Sequence, residues 1–490
     1  MIAASDADTV ARLVARRARE RPDAVAFAEV NVGPQMTWRE YEERSDRFAA
    51  WLRSFGWDRG DRVAFQLPDD ATVHALMLGC EKAGFVGVGI GSRAGEREVE
   101  HLVRRTGARM FVTDPSAGAQ VPAPTRLALV DPALRRDELW FLNSTSGTTG
   151  LPKIVMHDQA RWFAFHAFAH RIARFGAGDV FLSALPAPFG FGLWSAHFTP
   201  TIVGAPCITC ASFSPESVLA AVERYRVTVL AAVSTQFVML LNSPRFGAHD
   251  LSSLRVLFTG GEMVPYERAR EFERRTGAAV LQFYGSNETG ALSATTLDDS
   301  STRRLRTAGC VIPEMQVRLL DPDTDADITH TGGPGVPAGK GPTLCLGYWD
   351  DPAANEQLFT ADGWMRMGDL ATIDGDGYLT VVGRSADVII RGGKNVSAAQ
   401  VENEVGSHPA VALCAAVAIP DETFGERVCA FVELRDGYPE LTLAMLIAHL
   451  DQRGTGKELW PERLVVLDVL PRSSGAKVAK GELRAFAREL

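Results

Sequence analysis

The segment 139–157, LWFLNSTSGTTGLPKIVMH, holds the clearest concentration of residues suited to binding phosphate. An apolar, strand-like run leads into Ser144, Thr145, Ser146, Gly147, Thr148, Thr149 and Gly150, and Lys153 follows a proline. Glycines let the backbone aim N–H groups at an anion, hydroxyls add neutral donors, and a lysine adds a point charge. The spacing differs from the Walker pattern G-x-x-x-x-G-K-[ST]. A flexible linker is the alternative, but a linker need not follow a strand or contain Pro-Lys, so we predict a phosphate-binding loop.

Five further motifs follow in order along the chain. They are FTGGEMV (258–264), QFYGSNETG (282–290), GWMRMGDLA (363–371), GYLTVVGRSADVIIRGGKNV (377–396) and PRSSGAKVAKGELR (471–484). Together with the first loop they resemble the motifs of the adenylate-forming superfamily, which includes acyl-CoA synthetases, adenylation domains of nonribosomal peptide synthetases and beetle luciferases. The resemblance extends over nearly the whole chain, and it indicates the acyl-CoA ligase branch.

The resemblance implies a reaction in two steps. A carboxylate attacks the α-phosphate of Mg-ATP to give acyl-AMP and pyrophosphate, and a thiol then attacks the acyl-AMP carbonyl and releases AMP. The implied cofactors and co-substrates are ATP, Mg²⁺ and coenzyme A. A small domain is expected to rotate between the two steps.

Residue roles are carried over motif by motif. The resemblance implies that Tyr284 packs on the adenine and that Glu288 helps to hold Mg²⁺, which prefers oxygen ligands. Asp369 has two acceptor oxygens for the ribose hydroxyls, and Arg384 offers a fork to ribose or phosphate. Plain packing of Tyr284, a turn role for Asp369 and a surface role for Arg384 are the structural alternatives. The full predicted set is Lys477, Glu288 and Lys153 as catalytic residues, Glu288 also as metal ligand, and Ser144, Thr145, Ser146, Gly147, Thr148, Thr149, Gly261, Glu262, Tyr284, Thr289, Asp369 and Arg384 as ATP/AMP-binding residues.

The acid is expected to lie against segments 185–198 and 231–237 and near Gly285. Amino-acid-activating relatives read F-D-x-S-x-W, where the aspartate meets the substrate ammonium, but here FGFGLW places Gly190 at that position. A buried ammonium without a carboxylate partner is costly, so an α-amino acid is disfavoured. The predicted pocket residues, which indicate an apolar acid if they are not simply core, are Phe189, Gly190, Trp194 and Gly285.

The stretch 389–405 resembles the loop that lines the family's pantetheine channel. Gly392 and Gly393 leave room for a slim chain, and Lys394 follows them. The acceptor is therefore coenzyme A or the phosphopantetheine of a carrier protein. The absence of a carrier or condensation module within these residues favours coenzyme A.

Two positions depart from the family pattern. The hinge position, commonly Asp or Lys, is Ala386, and we expect rotation to survive because a hinge need not be one residue type. Near the carboxyl end, Gly475-Ala476 replaces Ser-Gly before Lys477, and alanine resists the positive φ that glycine allows. One hypothesis is therefore a ligase that performs only thioesterification from a preformed acyl-adenylate. An acyl-AMP ligase that loads a carrier protein, a catalytically inactive relative and a luciferase-like monooxygenase are three further hypotheses.

The elements that position these motifs form an α/β pattern. Apolar runs near 62–67, 108–113, 227–233, 254–260 and 279–285 alternate with helical segments. This alternation predicts largely parallel, buried strands flanked by helices. Residues 321–343, rich in glycine and proline, are expected to form a loop. We predict a large domain at 1–383 that contains several subdomains and binds ATP and the acyl group, a hinge at 384–387, and a small mobile α+β domain at 388–490.

Composition narrows the class of partners. The chain has 490 residues, a net charge of −9 with mixed signs, and seven dispersed cysteines. The charge disfavours nucleic acid and anionic membrane surfaces as partners, and the dispersed cysteines favour a reducing, cytoplasmic setting. No uninterrupted apolar run is long enough to span a membrane, so membrane insertion is not expected. CITC at 207–210 has zinc-like spacing without a second pair, so we predict a buried strand there. The expected partner is a small carboxylic acid or its adenylate, and the sequence leaves the oligomeric state open.

Overall fold

A computed structural model describes most of the chain. The described residues are 8–31, 33, 35–120, 133–145, 152–262, 264–384, 387–391, 394–421, 423–472 and 478–488. The strands are β1 (Val25–Glu29), β2 (Met36–Thr37), β3 (Arg62–Phe65), β4 (Val86–Gly89), β5 (Met110–Val112), β6 (Phe141–Ser144), β7 (Ile154–His157), β8 (Phe181–Ser183), β9 (Cys207–Thr209), β10 (Val229–Ala231), β11 (Val256–Gly260), β12 (Ala279–Ser286), β13 (Gly290–Ala294), β14 (Cys310–Val311), β15 (Gln316–Leu320), β16 (Val336–Lys340), β17 (Met365–Arg366), β18 (Asp369–Ile373), β19 (Leu379–Arg384), β20 (Val388–Arg391), β21 (Lys394–Ser397), β22 (Val411–Asp421), β23 (Gly425–Leu434) and β24 (Arg463–Val466).

Helices flank these strands. They are α1 (Val10–Glu20), α2 (Trp38–Arg53), α3 (Ala71–Ala83), α4 (Glu96–Thr106), α5 (Ala160–Ala173), α6 (Gly190–Gly192), α7 (Thr199–Val203), α8 (Pro215–Tyr225), α9 (Ser234–Asn242), α10 (Tyr266–Thr276), α11 (Ser301–Arg306), α12 (Pro352–Leu358), α13 (Ala398–Val405), α14 (Leu443–Gln452) and α15 (Lys480–Ala487). A π-helical segment, Leu193–Phe198, joins α6 to α7.

Two sheets carry most of the core. The first has nine strands in the order β14-β13-β12-β11-β10-β8-β9-β1-β2, and the second has five in the order β5-β3-β4-β6-β7. The six strands from β12 to β1 in the first sheet are mutually parallel, as are β5, β3, β4 and β6 in the second. Because parallel strands end at the same edge, the loops that follow β6, β11 and β12 emerge at the carboxyl edges of these sheets. Such edges are where α/β proteins usually bind ligands.

Local sequence signals account for many element boundaries. Asp70 caps α3 by accepting the Thr72 N–H at 2.6 Å, and the helix ends at Gly84 with a left-handed φ of 83°. The apolar runs predicted as strands are β3, β5, β10, β11 and β12, and all are present. The α/β prediction, with a large amino-terminal domain and a smaller carboxyl-terminal one, is therefore confirmed.

One loop prediction is wrong in part. The glycine- and proline-rich stretch 321–343 contains β16, the central strand of a three-stranded antiparallel sheet. Pro337 lies within that strand, opposite Leu319, and its carbonyl accepts the Met367 N–H at 2.8 Å. Pairing with both neighbours therefore overrides the low strand propensity of this composition.

Residues after the predicted hinge build a separate sheet. It contains β21, β20, β23 and β22, with β24 added beside β23, and α13, α14 and α15 pack with it. Its apolar centre includes Val401, Val428 and Leu446, each fully buried.

The structure also shows the state of the cysteines and the character of the helices. All seven cysteines are free, and Cys207 lies in the buried strand β9, as predicted for CITC. Within the described ranges, no group of three His, Cys, Asp or Glu side chains is arranged to hold a metal ion. The same ranges contain no helix with both the length and the apolar character needed to cross a bilayer.

Candidate functional site

The predicted phosphate loop leaves β6 at the carboxyl edge of the second sheet. The Thr145 N–H donates to the Lys153 carbonyl at 2.9 Å, and the Lys153 N–H donates to the Thr145 hydroxyl at 3.2 Å. These bonds close the base of the loop. Ser144 is buried, and its hydroxyl donates to Glu98 at 3.1 Å. Ser144 therefore supports the loop from inside, whereas Ser146, Gly147, Thr148 and Thr149 lie outside the described residues.

Tyr348 links Lys153 to Glu288. The Lys153 ammonium lies 4.8 Å from the centre of the Tyr348 ring, and the Tyr348 hydroxyl donates to Glu288 Oε1 at 2.7 Å. Burial and the neighbouring Glu288 raise the pKa of the Tyr348 phenol, so it remains a donor. Two residues predicted as catalytic therefore contact the same tyrosine, one at its ring and one at its hydroxyl. Tyr348 was not predicted because it lies in none of the recognised motifs.

Tyr284 and Asp369 meet through their polar ends. The Tyr284 hydroxyl donates to Asp369 Oδ2 at 2.8 Å, and the Tyr284 ring is 9% exposed. Asp369 begins β18, and Arg384, whose side chain lies outside the described part, is its cross-strand partner at the end of β19. The structure thus brings these three predicted nucleotide residues to one place.

The remaining predicted nucleotide residues hold turns. Gly261 has a φ of 75°, which favours glycine, and Glu262 Oε2 accepts the Thr235 N–H at 3.3 Å. Thr289 is fully buried, and its hydroxyl accepts the Ser286 N–H at 2.9 Å. This hydroxyl shapes the turn that carries Glu288, so direct nucleotide contact by Thr289 stays a prediction.

Gly190 lies in a wall with no room for a side chain. A Cβ atom there would meet Asn287 Oδ1 at 2.9 Å and the Trp162 ring at 3.0 Å. Gly285 is equally constrained, since a Cβ would lie 1.6 Å from the Gly290 carbonyl oxygen. The sequence prediction rested on the missing aspartate, and the structure adds that neighbours crowd the first atom of any side chain at Gly190.

An aromatic cluster stands beside this wall. Phe191 and Phe283, both partly exposed, meet edge to face with centroids 4.8 Å apart. Trp194 is 1% exposed and packs against both of them. Trp194 therefore supports the aromatic wall from behind, and Phe189 is partly exposed at the start of α6. Phe283 was not among the predicted pocket residues, because strand alternation alone does not reveal which rings meet in such a cluster.

A polar network that the sequence did not predict lies behind the site. It joins Asn143, His157, Arg161 and Asn287. Asn143 and His157 lie within the quoted stretch 139–157 and Asn287 within the 282–290 motif, but no spacing rule marks them. Arg161, in the first turn of α5, has no local signal at all.

The mobile-domain predictions fall mostly outside the described residues. These are Lys477, Ala386, Gly392, Gly393 and the side chain of Lys394. Flanking residues are described. Asp387 pairs with Arg484 and lies 3.7 Å from Lys480, which also contacts Glu402 at 2.7 Å. The residue after the predicted pivot is thus tied to α15, the helix that follows Lys477.

Comparisons with known proteins agree with this architecture. The profile of the AMP-binding enzyme family matches residues 14–349, and that of the AMP-binding enzyme C-terminal domain matches residues 400–477. A medium-chain fatty-acid–CoA ligase of Escherichia coli (strain K12) is 31% identical, over 95% of this chain and 88% of that enzyme. A feruloyl-CoA synthase of an Amycolatopsis species is 33% identical, over 96% of this chain and 97% of that enzyme.

Solved structures share the fold. An anthranilate CoA ligase in complex with anthranoyl-AMP superposes with a TM-score of 0.90, at 23% identity over 99% of this chain and 98% of that one. This likeness shows the fold, and the sequence matches show the family. The chain therefore belongs to the AMP-binding enzyme family, on the acyl-CoA ligase branch of the adenylate-forming superfamily, whose two-step reaction is ATP-dependent acid–thiol ligation.

Proposed function

We propose that this protein activates an apolar carboxylic acid without an α-ammonium group and transfers the acyl group to coenzyme A. The observation that carries this choice is the wall at Gly190. Glycine supplies no carboxylate, and Asn287 Oδ1 and the Trp162 ring lie within 3.0 Å of where a Cβ would stand, so this position offers no counter-ion for an ammonium. The partly exposed rings of Phe191 and Phe283 favour an apolar acyl group beside it.

The nucleotide side of the site supports distinct roles for its side chains. Asp369 holds the ribose hydroxyls, and the Tyr284 hydroxyl fixes the carboxylate through its 2.8 Å bond. Lys153 and the loop before it contact the phosphates, while Lys477 steadies the acid carboxylate and the α-phosphate during adenylation. Positive groups placed in advance at developing charge lower the barrier without reorganisation during the reaction.

The residues around Glu288 fit a magnesium ion. One carboxylate oxygen, Oε1, accepts the Tyr348 hydroxyl, and the partly exposed side chain has a second oxygen available as a hard ligand. Mg²⁺ is commonly bound through one or two carboxylates together with substrate phosphates and water. When bound, the ion neutralises charge on the phosphate oxygens. Glu288 holds it, and Tyr348 orients Glu288.

The names of relatives support a choice of the class of acid and of the thiol acceptor. The E. coli relative is named for medium-chain fatty acids and the Amycolatopsis relative for ferulate, and both names specify coenzyme A. A Mycobacterium tuberculosis relative, 31% identical over 98% of this chain, is named as a salicyl-AMP ligase and a synthetase of the carrier-bound product. We therefore propose coenzyme A as acceptor, with Gly392, Gly393 and Lys394 lining its channel, and carrier loading as the alternative.

Domain rotation about Ala386 completes the proposal. The boundaries 1–383, 384–387 and 388–490 are predicted from sequence, and the separate sheet built after residue 387 supports them. The free state of all seven cysteines is consistent with the proposed cytoplasmic setting.

An acid panel tests the proposed function. Medium-chain fatty acids, cinnamic-type acids and benzoates are compared with α-amino acids, by pyrophosphate release and by AMP-forming thioester synthesis with coenzyme A. The expected result is turnover of at least one apolar class and none of the amino acids. Preferential turnover of an amino acid would overturn the assignment of the acid. Preferential acylation of a phosphopantetheinylated carrier would overturn the assignment of the acceptor.

A further inference from the structure

Arg161 is a buried cation that contacts the main chain of the Glu288 turn. Its guanidinium donates to the carbonyls of Thr343 at 2.9 Å, Asn287 at 3.0 Å and Glu288 at 3.2 Å. Nη1 also lies 2.6 Å from His157 Nδ1. The side chain is 2% exposed. One residue from α5 therefore fixes two successive peptide groups of the motif that carries the metal-binding carboxylate.

The burial of this charge is costly, and the nearby carboxylates of Asp158 and Glu288 favour it only from beyond ion-pair distance. Among the described residues, Arg161 forms no ion pair within 4 Å. The nearby Asp158 accepts the main-chain N–H of Arg161 at 2.9 Å and not its guanidinium. Burying a charge without a counter-ion is unfavourable unless hydrogen bonds replace the lost water. The carbonyl dipoles serve that purpose, so Arg161 and the Asn287–Glu288 backbone hold each other in place.

The contact with His157 extends this constraint to side chains. Arginine only donates, so His157 Nδ1 accepts and Nε2 carries the proton. His157 Nε2 then donates to Asn143 Oδ1 at 2.8 Å. Asn143 in turn directs its Nδ2 to the Pro188 carbonyl at 2.9 Å. The orientation of the Asn143 amide is therefore decided by a chain of bonds that begins at Arg161.

The last member of this chain lies beside Gly190, in the wall that we propose faces the acid. Asn287 Nδ2 donates to Asn143 Oδ1 at 2.7 Å, which fixes the orientation of the Asn287 amide. Asn287 Oδ1 then points toward Gly190, 2.9 Å from where a Cβ would lie. The same relay binds the Pro188 carbonyl, two residues before Gly190. Arg161 thus controls the Glu288 turn directly and the acyl wall through His157 and Asn143.

We infer that Arg161 is a positioning residue that sets the Glu288 turn and, through the His157–Asn143–Asn287 relay, the polar wall of the acyl pocket. The inference rests on the proposed function in taking that wall to face the acid. It assigns to one buried side chain the alignment of the two reacting partners, the acid and the Mg-ATP complex. A misplacement of about 1 Å in such an arrangement costs on the order of 10²-fold in rate.

The main test compares Arg161→Met with Arg161→Lys. Methionine keeps an unbranched chain without donors, and lysine keeps the charge with fewer fixed bonds. The control is Arg268→Met, since Arg268 in α10 is 4% exposed and bonds to Asn242 of α9 and Glu271 of α10. We expect kcat/KM for the acid to fall about 10²-fold in Arg161→Met, to recover in part in Arg161→Lys, and to stay unchanged in folded Arg268→Met. Equal loss of melting temperature with unchanged kcat/KM in both methionine variants would overturn the inference.

The relay supplies a second test that does not need the Arg161 variants to fold. His157→Phe keeps a ring against Trp162, at a centroid distance of 5.6 Å in the native protein, and Asn143→Ala removes the central amide. Each is expected to raise KM for the acid more than it lowers kcat. In a double-mutant cycle, Asn143→Ala and Asn287→Ala should be strongly non-additive, because the two side chains share hydrogen bonds of 2.7 and 3.4 Å. Additive effects, or unchanged KM in both single variants, would contradict the relay.

A binding measurement separates this inference from the choice of acid. If the wild-type protein turns over no member of the acid panel, the proposed function fails, but MgATP is still expected to raise its melting temperature by mass action. Loss of more than about half of that MgATP-dependent rise in Arg161→Met, with retention in Arg268→Met, supports the positioning role without any turnover. An undiminished rise in Arg161→Met would overturn it.

Discussion

The hydroxyl of Tyr284 donates a hydrogen bond to the carboxylate of Asp369 at 2.8 Å, across 85 positions of sequence. Tyr284 lies in the nine-stranded sheet and Asp369 in the two-stranded sheet with β19. The bond joins the residue expected against the adenine to the residue expected on the ribose. A plain core tyrosine and a plain turn aspartate, the structural alternatives for these positions, do not require this pairing.

We expect Tyr284→Phe to weaken ATP binding while leaving the ring in place. The variant frees one Asp369 oxygen, and loss of a hydrogen bond to a charged group costs about 1.5–3 kcal/mol at most sites. KM for ATP should therefore rise roughly tenfold, with a smaller change in kcat. Asp369→Asn should raise KM for ATP further. Unchanged ATP kinetics in both variants would show that the pair is structural.

Replacement of Glu288 tests the magnesium site. Glu288→Gln keeps an acceptor for Tyr348 but removes the charge. It should shift activation to higher Mg²⁺ concentration and lower kcat by about 10²–10³-fold. Tyr348→Phe is the matched control, because it leaves the carboxylate and removes only the 2.7 Å bond that orients it. The measurement is rate against Mg²⁺ concentration, and an unaltered profile in Glu288→Gln would exclude Glu288 as a ligand.

Substitutions at Gly190 test whether the wall around this residue contacts the acid. Gly190→Ala introduces a Cβ that would meet Asn287 Oδ1 at 2.9 Å, so KM for the acid should rise severalfold. Gly190→Asp should not create activity toward amino acids, because Asn287 and Trp162 crowd the Cβ and so hinder placement of the new carboxylate. Gly176→Ala is a suitable control, since a Cβ there meets nothing within 4 Å. Efficient amino-acid turnover by Gly190→Asp would contradict this account of specificity.

Replacement of Lys477 is expected to affect adenylation and thioester formation differently. Lys477→Ala should reduce ATP–pyrophosphate exchange about 10²-fold or more. Thioester formation from preformed acyl-AMP should change little, because we propose that the lysine serves adenylation alone. Robust exchange by the wild-type protein would eliminate the thioesterification-only hypothesis. If exchange is absent, Gly475→Ser combined with Ala476→Gly should restore it.

Buried histidines should make the protein acid-sensitive. Burial lowers the pKa of His74 to about 3, and it lowers the pKa of His197, whose Nδ1 lies 3.4 Å from that of His74. An unfolded histidine titrates near pH 6.5, so below that pH the unfolded state binds more protons and stability falls as pH decreases. His197→Phe should therefore flatten the pH dependence of unfolding free energy between about pH 6 and 4, by up to ~1.4 kcal/mol per pH unit. Denaturant titrations at several pH values measure the slope.

Burial of the Asp69 carboxyl group changes the pH dependence of stability in the opposite direction to burial of the histidines. It raises the pKa of Asp69 to about 6, so this group favours folding at lower pH and offsets part of the histidine effect. For that reason the comparison of slopes between wild type and His197→Phe is decisive, and the absolute slope is not. An identical slope in the two proteins would show that His197 does not remain neutral in the fold.

Much of the fold was predictable because its signals are local. Continuous apolar runs predicted β11 and β12, and the glycine at which α3 ends, Gly84, is a local signal of the same kind. The strand β16 was not predictable in this way, since VPAGK gains its stability from two neighbouring strands and not from its own propensity.

The features of the site also separate into those with a local sequence signal and those that depend on contacts between distant segments. The sequence by itself determined the family, the nucleotide motifs and the exclusion of an aspartate at position 190, because these depend on residue types at fixed spacing. Only the tertiary structure decided that Tyr284 is bonded to Asp369, that Tyr348 stands between Lys153 and Glu288, and that Arg161 supports the Glu288 turn. These contacts join segments far apart in the chain, and a buried polar group is satisfied by whichever partner the packing of distant elements brings within reach.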